Sequence, residues 1–205
     1  MAKQLGFYVN AGSCTGCKAC QIACKEKNDL PVGILWRRVV EVSGGRWVKR
    51  DEAWIEHSFT YFLSVACMHC QQPICAEVCP TKAIYQREDG IVLVEAERCM
   101  GCHYCEWACP YGSPQFDTTT GVMSKCNLCY DYVEQGKPPA CVSACQMRVL
   151  EFGEIEELRS RPGTMREVFP LPDADLTEPA GVLKPHKDTQ RTFGQPTHIG
   201  NREEI

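Results

Sequence analysis

Sixteen cysteines in four groups of four constrain this chain more than any other feature of its sequence. Cysteine makes up about 8% of the 205 residues, a density typical of disulfide scaffolds, metal proteins and cluster proteins. Disulfide scaffolds are mostly secreted chains of fewer than about 80 residues, whose cores are too small to be stable alone. This chain is much longer and has enough Val, Ile, Leu and Phe for ordinary cores, so its composition favours metal.

The spacing of the cysteines indicates iron–sulfur clusters. Gaps of two, two and three residues separate the cysteines of the first and third groups, and each of the other groups has one longer gap. The run C-x2-C-x2-C-x3-C binds clusters in bacterial ferredoxins. In order along the sequence, the groups are Cys14, Cys17, Cys20 and Cys24; Cys67, Cys70, Cys75 and Cys79; Cys99, Cys102, Cys105 and Cys109; and Cys126, Cys129, Cys141 and Cys145.

The last cysteine of such a run ligates the other cluster of a two-cluster module, so ligands are exchanged between two groups. The second and third groups lie close together around a predicted hairpin and pair with each other, which leaves the first and fourth groups to pair across them. Four [4Fe–4S] clusters are therefore predicted. We call their ligand sets quartets 1 to 4: Cys14, Cys17, Cys20 and Cys145; Cys24, Cys126, Cys129 and Cys141; Cys67, Cys70, Cys75 and Cys109; and Cys79, Cys99, Cys102 and Cys105.

This pairing predicts an α+β fold of two bacterial-ferredoxin-like two-cluster modules, one inserted within the other. Residues 1–24 and 110–152 form the outer module, 67–109 the inserted module and 25–66 a β-rich connecting insert. Turn residues and β-branched runs place the regular elements. Strands are predicted over 5–9, 35–42, 46–49, 59–66 and 149–152, hairpins over 83–94 and 113–125, and a short helix over 154–159.

The C-terminal residues 153–205 contain six of the chain's prolines. Proline-rich polar sequence is not expected to build a sheet or to bury much apolar area. An extended strap across a partner is preferred over a disordered tail, because five apolar residues would otherwise be exposed, namely Val168, Phe169, Leu171, Val182 and Leu183.

Three other interpretations of the cysteines have weaker support. Structural zinc takes two separated C-x2-C pairs, which leaves no role for a third cysteine at two-residue spacing. Cysteines three apart on a tight loop rarely meet the geometry of a disulfide. Residues 99–103 match the haem-attachment string C-x-x-C-H, but Cys105 and Cys109 continue the ferredoxin run through it. His103 is therefore expected to be a polar neighbour of a cluster.

The rest of the sequence excludes several classes of function. A net charge of −4 without a basic face argues against nucleic-acid binding. No apolar run approaches the roughly 18 residues that cross a bilayer, so the chain is expected to have no membrane span. There is no G-x-S-x-G, P-loop, H-E-x-x-H or Rossmann glycine run, so substrate chemistry is expected on another polypeptide. Four cations flank the cysteines, namely Lys18, Lys25, Arg98 and Lys125. They are expected to be exposed, with a role in raising the potentials of neighbouring clusters as the alternative.

Strings beyond the cysteines make the sequence resemble the four-cluster iron–sulfur subunit of anaerobic dimethyl sulfoxide reductase, a membrane-associated molybdoenzyme. The resemblance runs over nearly the whole chain. The strings are Cys14-Thr15-Gly16-Cys17-Lys18, Arg37-Arg38-Val39 before Gly44-Gly45, Arg87-Glu88-Asp89-Gly90, Ala108-Cys109-Pro110-Tyr111-Gly112, Gly136-Lys137-Pro138 and Glu151-Phe152-Gly153.

The resemblance implies a complex of three subunits. A membrane anchor subunit would oxidise menaquinol, this subunit would relay electrons, and a molybdopterin-containing catalytic subunit would reduce dimethyl sulfoxide or a related S- or N-oxide. Quartet 1 would lie toward the catalytic subunit and quartet 4 toward the quinol end. Nitrate reductase relatives have tryptophan at one ligand of the third group and a [3Fe–4S] cluster, whereas Cys102 here implies [4Fe–4S] throughout. Gln146 follows Cys145 where the family usually has proline, which leaves the ligand in place.

The resemblance also implies a peripheral position on the cytoplasmic membrane, with the periplasmic face favoured because the family's catalytic subunit is often exported with its partner. Related formate dehydrogenase and hydrogenase subunits carry an anchor helix that is not seen in this sequence, which favours the reductase branch. Two alternatives stay open. One is a soluble polyferredoxin carrier, and the other is the equivalent subunit of a thiosulfate, polysulfide or other oxyanion reductase.

Overall fold

The computed structural model describes residues 3–205, which form a mixed α/β fold with short elements. Its strands are β1 (Leu5–Asn10), β2 (Arg37–Gly44), β3 (Trp47–Arg50), β4 (Ala53–Glu56), β5 (Phe59–Ala66), β6 (Ile84–Gln86), β7 (Val92–Val94), β8 (Gln115–Asp117), β9 (Val122–Ser124), β10 (Leu150–Glu154), β11 (Gly181–Lys184) and β12 (Thr197–Ile199). Its α-helices are α1 (Ala19–Lys27), α2 (Ile74–Glu77), α3 (Tyr104–Ala108), α4 (Tyr130–Val133), α5 (Ala140–Ser143) and α6 (Ile155–Arg159).

One three-stranded sheet joins distant parts of the sequence. β1 is its central strand, antiparallel to β10 and parallel to β11. The strands predicted over 5–9 and 149–152 are confirmed, and they pair with Phe7 opposite Phe152. The helix predicted over 154–159 forms as α6, whose Ile155 and Leu158 pack against Tyr8 and Val182 of this sheet.

A second three-stranded sheet lies in the connecting region. β2 and β5 pair antiparallel over eight positions, from Arg37 opposite Ala66 to Gly44 opposite Phe59, which confirms both predicted strands. The strand predicted over 46–49 also forms, as β3, but it pairs with β4 in a separate hairpin. Gly45, with φ +115°, separates β2 from β3, and an added Cβ there would lie 2.3 Å from the carbonyl oxygen of His57.

The two predicted hairpins are confirmed. β6 pairs with β7 around the Glu88-Asp89-Gly90 turn, and β8 pairs with β9 around residues 118–121. Side chains from both hairpins meet in a small core that contains Ile84, Val92, Cys105 and Met123. We call it the satellite core.

The expectation that the tail builds no sheet is wrong. β11 lies at one edge of the β10–β1–β11 sheet, and β12 lies at one edge of the β12–β2–β5 sheet. Both strands fit between prolines, because Pro179 and Pro185 flank β11 while Pro196 precedes β12. An edge strand of three or four residues needs few N–H donors, so nearby prolines do not prevent it.

The reason given for a strap across a partner is also wrong in part. Val168, Val182 and Leu183 are buried against this chain itself. The carbonyl oxygen of Phe169 accepts a hydrogen bond of 2.9 Å from the Tyr61 hydroxyl. The tail therefore packs across its own chain, although the side chain of Phe169 stays partly exposed.

The main core combines apolar side chains with cysteines. It joins Phe7 of β1, Val42 of β2 and Leu63 of β5 to Leu183 of the tail. Five cysteines belong to the same core, namely Cys20, Cys67, Cys126, Cys141 and Cys145. Within residues 3–205, helices are too short or too polar to cross a bilayer.

Candidate metal centres

Two loops with the same backbone conformation begin the first and third cysteine groups. Gly16 and Lys18 have φ values of +71° and 59°, and the equivalent Gly101 and His103 have +66° and 65°. Left-handed residues at these positions turn the chain tightly, so that successive cysteines face one point. An added Cβ at Gly16 would lie 2.5 Å from the Phe62 ring, so glycine is also required by packing.

Quartet 1 lines one cavity. Cys14, Cys17, Cys20 and Cys145 surround a space of about 310 Å³ between the first cysteine loop and the segment before β10. Cys17 is exposed, Cys14 is half-buried, and Cys20 and Cys145 are buried. The N–H of Val149 donates to Cys145 Sγ at 3.4 Å, and Ser64 Oγ lies 3.4 Å from Cys20 Sγ.

Quartet 2 is the only one of the four whose thiols are all buried in the described structure: Cys24, Cys126, Cys129 and Cys141. α1, which carries Cys24, packs against α5, which carries Cys141. Burial raises the pKa of Cys24 to about 12, and the charges of Cys141 and Cys129 contribute to that rise. The N–H of Leu128 donates to Cys126 Sγ at 3.4 Å.

Quartet 3 lines a second cavity, of about 340 Å³, with Cys67, Cys70, Cys75 and Cys109. The N–H of Ser113 donates to Cys109 Sγ at 3.5 Å. Lys125 also lines this cavity, and its ammonium donates to the carbonyl oxygens of Val92 and Cys126. Lys125 is buried, so the expectation that it would be exposed is wrong.

Quartet 4 lines a third cavity, of about 300 Å³, with Cys79, Cys99, Cys102 and Cys105 beside the satellite core. The N–H of Met123 donates to Cys99 Sγ at 3.4 Å. Partial burial raises the pKa of Cys79, but hydrogen bonds from the backbone of Ile84 and from the Thr81 hydroxyl outweigh it and lower that pKa below 9.0. His103 follows Cys102 in the sequence; its ring contacts that of Phe116, and its Nδ1 lies 2.7 Å from a carboxylate oxygen of Glu106.

The structure thus brings together the cysteines that were assigned to each quartet on the basis of ligand exchange. The four sites suit the same prosthetic group. Three cavities of similar size have four thiols each, and one thiol of every quartet accepts a backbone N–H. Hydrogen bonds to sulfur are a usual means of stabilising iron–sulfur clusters. All sixteen thiols are free, and within residues 3–205 no three Cys, His, Asp or Glu side chains converge on one metal-ion position.

Two buried polar side chains near the quartets were not predicted. Arg37 is 1% exposed and His69 is fully buried. Burial lowers the pKa of His69, and the charges of Lys125 and Arg37 lower it further, so its ring is neutral. Val92 donates its N–H to His69 Nδ1 at 3.1 Å, whereas Nε2 is buried without a partner. The burial of Arg37 could have been predicted from its position two residues before Val39, because this spacing places both side chains on the same, inward face of a strand.

Comparisons with known proteins agree with these sites. The family described as "4Fe-4S dicluster domain" matches residues 58–155. The chain is 45% identical over 205 residues to the probable anaerobic dimethyl sulfoxide reductase chain YnfG of Escherichia coli K12, covering 100% of both proteins. It is 44% identical, again over 100% of both proteins, to the B subunit of anaerobic dimethyl sulfoxide reductase of that strain. The B subunit of polysulfide reductase of Wolinella succinogenes is 40% identical over 162 residues, 78% of this chain and 82% of that one.

Fold, thiol sites and relatives together define an iron–sulfur protein that transfers electrons within an oxidoreductase complex and is not its catalytic subunit. The chain therefore belongs to the family of iron–sulfur subunits of dimethyl sulfoxide reductase-type enzymes. The resemblance inferred from the sequence is thereby confirmed.

Proposed function

We propose that quartets 1 to 4 each hold one [4Fe–4S] cluster and that the chain relays electrons between a membrane anchor subunit and a molybdopterin-containing catalytic subunit. The observation that carries this proposal is the set of three similar cavities, each lined by four thiols drawn from two cysteine groups. A bound cluster supplies reversible one-electron chemistry at a potential that its surroundings set.

Shared helices support a linear order of the quartets. Quartets 1 and 2 both take ligands from α1, which carries Cys20 and Cys24. Quartets 3 and 4 both take ligands from α2 and α3 or from the residues just after them, and these two helices pack together. Between the pairs, Cys67 of quartet 3 is close enough for its charge to raise the pKa of Cys126 of quartet 2. The order along the relay is therefore 1, 2, 3, 4.

The protein's own groups suit a relay. Backbone N–H groups hold one thiol of each quartet, and the main core around Cys126 and Cys141 keeps water from the middle of the order. Burial raises the pKa of most of these thiols, so they bind as thiolates only when a metal takes the place of the proton.

The nested modules belong to the same proposal. Pairing of β1 with β10 supports an outer module of residues 1–24 and 110–152, and packing of α2 against α3 supports an inserted module of 67–109. Residues 25–66 connect them, and 153–205 form a strap that lies on this chain.

Exposed apolar side chains support partners at both ends of the order. Met100, Tyr104 and Trp107 are exposed beside quartet 4, with Trp107 at 74%. Met147 lines the cavity of quartet 1 and is also exposed, as is Cys17. Large exposed apolar groups clustered at one place are typical of interaction sites. We assign the quartet 1 end to the catalytic subunit and the quartet 4 end to the anchor that oxidises menaquinol.

The full-length identity to the B subunit of dimethyl sulfoxide reductase supports dimethyl sulfoxide or a related S- or N-oxide as the terminal substrate in anaerobic respiration. It also supports a peripheral position on the cytoplasmic membrane. Of the two faces we favour the periplasmic one, on the expectation that the chain is exported together with the catalytic subunit. The polysulfide reductase B subunit is a more distant relative and keeps a polysulfide-type reductase as the second candidate.

Anoxic purification of the full chain with its native partners tests the proposal. We expect about sixteen irons per chain, four for each cluster, and co-elution with one catalytic and one anchor subunit. About eight irons would contradict two of the quartets. A loaded monomer without stoichiometric partners would instead support the soluble polyferredoxin, and a catalytic partner that reduces polysulfide but no S- or N-oxide would support the second candidate.

A further inference from the structure

The guanidinium of Arg37, the first residue of β2, is buried in the main core without an acidic partner. Only 1% of the residue is exposed, and no Asp or Glu within residues 3–205 forms an ion pair with it. A buried charge that lacks a counter-charge is strongly destabilising. Another negative group is therefore expected beside it.

Two contacts fix the guanidinium and leave part of it unused. Nη1 donates to Ser64 Oγ at 3.0 Å, and the group lies over the Phe7 ring, 4.5 Å from its centroid. Nε and Nη2 are buried and have no hydrogen-bond partner. Since a guanidinium has only donors, these N–H groups require an acceptor.

Thiols of two quartets are close enough to this cation for their charges to act on it. Burial by itself lowers the pKa of Arg37, but thiolate charges outweigh it and raise that pKa. These charges belong to Cys141, Cys20, Cys126 and Cys24. Cys20 belongs to quartet 1 and the other three to quartet 2, and α1, which carries both Cys20 and Cys24, packs against β2. Ser64 strengthens the link, because its Oγ contacts both Arg37 and Cys20 Sγ.

We propose that Arg37 tunes the clusters of quartets 1 and 2 together, by donating its Nε–H and Nη2–H to their sulfur atoms. This inference rests on the proposed function. A cluster with four thiolates gains one negative charge when it accepts an electron, so a fixed cation and N–H···S bonds stabilise its reduced form more than its oxidised form. Arg37 thus raises both reduction potentials relative to a neutral residue at this position.

Redox titration of the full chain, with dithionite as reductant and EPR as readout, tests the role. In Arg37→Met we expect two of the four midpoint potentials to fall, each by at least a tenfold change in the equilibrium constant, about 59 mV for one electron. Arg37→Lys restores part of the shift because it keeps the cation. A merely structural role would change cluster content or thermal stability and leave the midpoints of the remaining clusters in place.

Arg38→Gln is the matched control. Its guanidinium lies on the other face of β2 and donates to the carbonyl oxygens of Tyr111 and Gly112, at 2.7 and 3.2 Å. The two midpoints that move in Arg37→Met should stay in place in this variant. An Arg37→Met chain with full iron content and four unchanged midpoints would overturn the proposal.

A second measurement, on the wild-type chain and on Arg37→Lys, covers the case in which Arg37→Met fails to assemble. In protein labelled with 15N-arginine, pulsed EPR of the reduced clusters should detect nitrogen coupling, and Arg37→Lys should abolish it. Absence of that coupling, or its persistence in Arg37→Lys, would overturn the role of Arg37. A wild-type chain that holds no clusters would contradict the proposed function itself, which separates the two failures.

Discussion

Quartet 2 and quartet 4 are built from related cysteine spacings, yet they lie in very different surroundings. All thiols of quartet 2 are buried, and Cys126 and Cys141 belong to the main core. In quartet 4 only Cys105 is buried, and its neighbours form the satellite core of two short hairpins. Related spacings therefore do not fix the exposure of the thiols, because the elements packed around a motif decide how far its cysteines are from water.

The electrostatics follow the same division. Burial raises the pKa of Cys126 well above 9.0, while hydrogen bonds lower that of Cys79 below it. Buried cations accompany the inner sites, with Arg37 beside quartet 2 and Lys125 beside quartet 3. Quartet 4 instead has exposed aromatic side chains beside it. The inner sites suit transfer within the chain and the outer site suits exchange with a partner.

The largest difference is expected when one ligand is removed from each site. With the proposed clusters, Cys141→Ala should lose more iron than the four atoms of quartet 2 and should unfold at a clearly lower temperature, because Cys141 lies in the main core. Cys79→Ala should retain about three quarters of the iron, since three quartets are untouched. Iron content and anoxic thermal unfolding measure both effects. Equal losses in the two variants would show that the main core does not depend on its cluster.

Truncation of Leu183 tests whether the tail belongs to the main core. Its side chain is 2% exposed, so Leu183→Ala should reduce the free energy of unfolding by about 2–5 kcal/mol. Leu176→Ala, at a position 59% exposed, is the control and should change it by less than about 0.5 kcal/mol. Denaturant titration of the loaded protein measures both. Similar values would mean that the tail is not docked in solution.

Gly6 tests the close approach of β1 to the tail. An added Cβ would lie 1.9 Å from the backbone oxygen of Ala180, so Gly6→Ala should cost about 1–3 kcal/mol of unfolding free energy. Gly153, which lies opposite Gly6 on β10, is the control, because an added Cβ there would meet only a Leu158 methyl group at 3.9 Å. Gly153→Ala should therefore cost less than about 1 kcal/mol of unfolding free energy, near the scale of a small surface change. The same denaturant titration compares them, and a tolerant Gly6 would refute the observed packing of β11.

The smallest effect on stability is expected at the exposed rim of quartet 4. Trp107 is 74% exposed, so Trp107→Ala should change the free energy of unfolding by less than about 0.5 kcal/mol. Its effect on association should be larger, because exposed tryptophans are frequent hot spots of interfaces, worth about 2 kcal/mol or more. Affinity for the anchor subunit measures this, with Trp54→Ala on the separate β3–β4 hairpin as control. Unchanged affinity would place the anchor elsewhere.

Local patterns made much of this structure predictable. Three-residue offsets within a cysteine run identify three of the four thiols of quartets 1 and 4, and Glu88-Asp89-Gly90 places a hairpin turn between two predicted strands. These features depend on residues near each other in sequence. The β-branched valines ahead of the Ser43-Gly44-Gly45 turn likewise predicted a strand that contains Val39 and Val42, without reference to distant residues.

Long-range contacts were not predictable in the same way. β11 pairs with β1, which lies more than 170 residues earlier in the sequence, and no residue near Val182 predicts that partner. Buried Lys125 looks like any cation beside a cysteine, because its burial depends on Val92 in another hairpin. Arg37 likewise depends on Ser64 of β5 for a contact. The prediction from composition was therefore wrong for the proline-rich tail, because the hydrogen-bond partners of its few strand residues lie in β1 and β2, far away in the sequence.

The insertion of one module into the other has a consequence for how the protein matures. With the proposed ligands, quartets 3 and 4 have all their cysteines once residue 109 has left the ribosome, whereas quartet 2 waits for residue 141 and quartet 1 for residue 145. The contacts of the first cysteine loop are completed last during synthesis, because Lys18 forms an ion pair with Glu204 near the end of the sequence. The inserted module thus has its full set of ligands while the outer module still lacks all four cysteines of the last group.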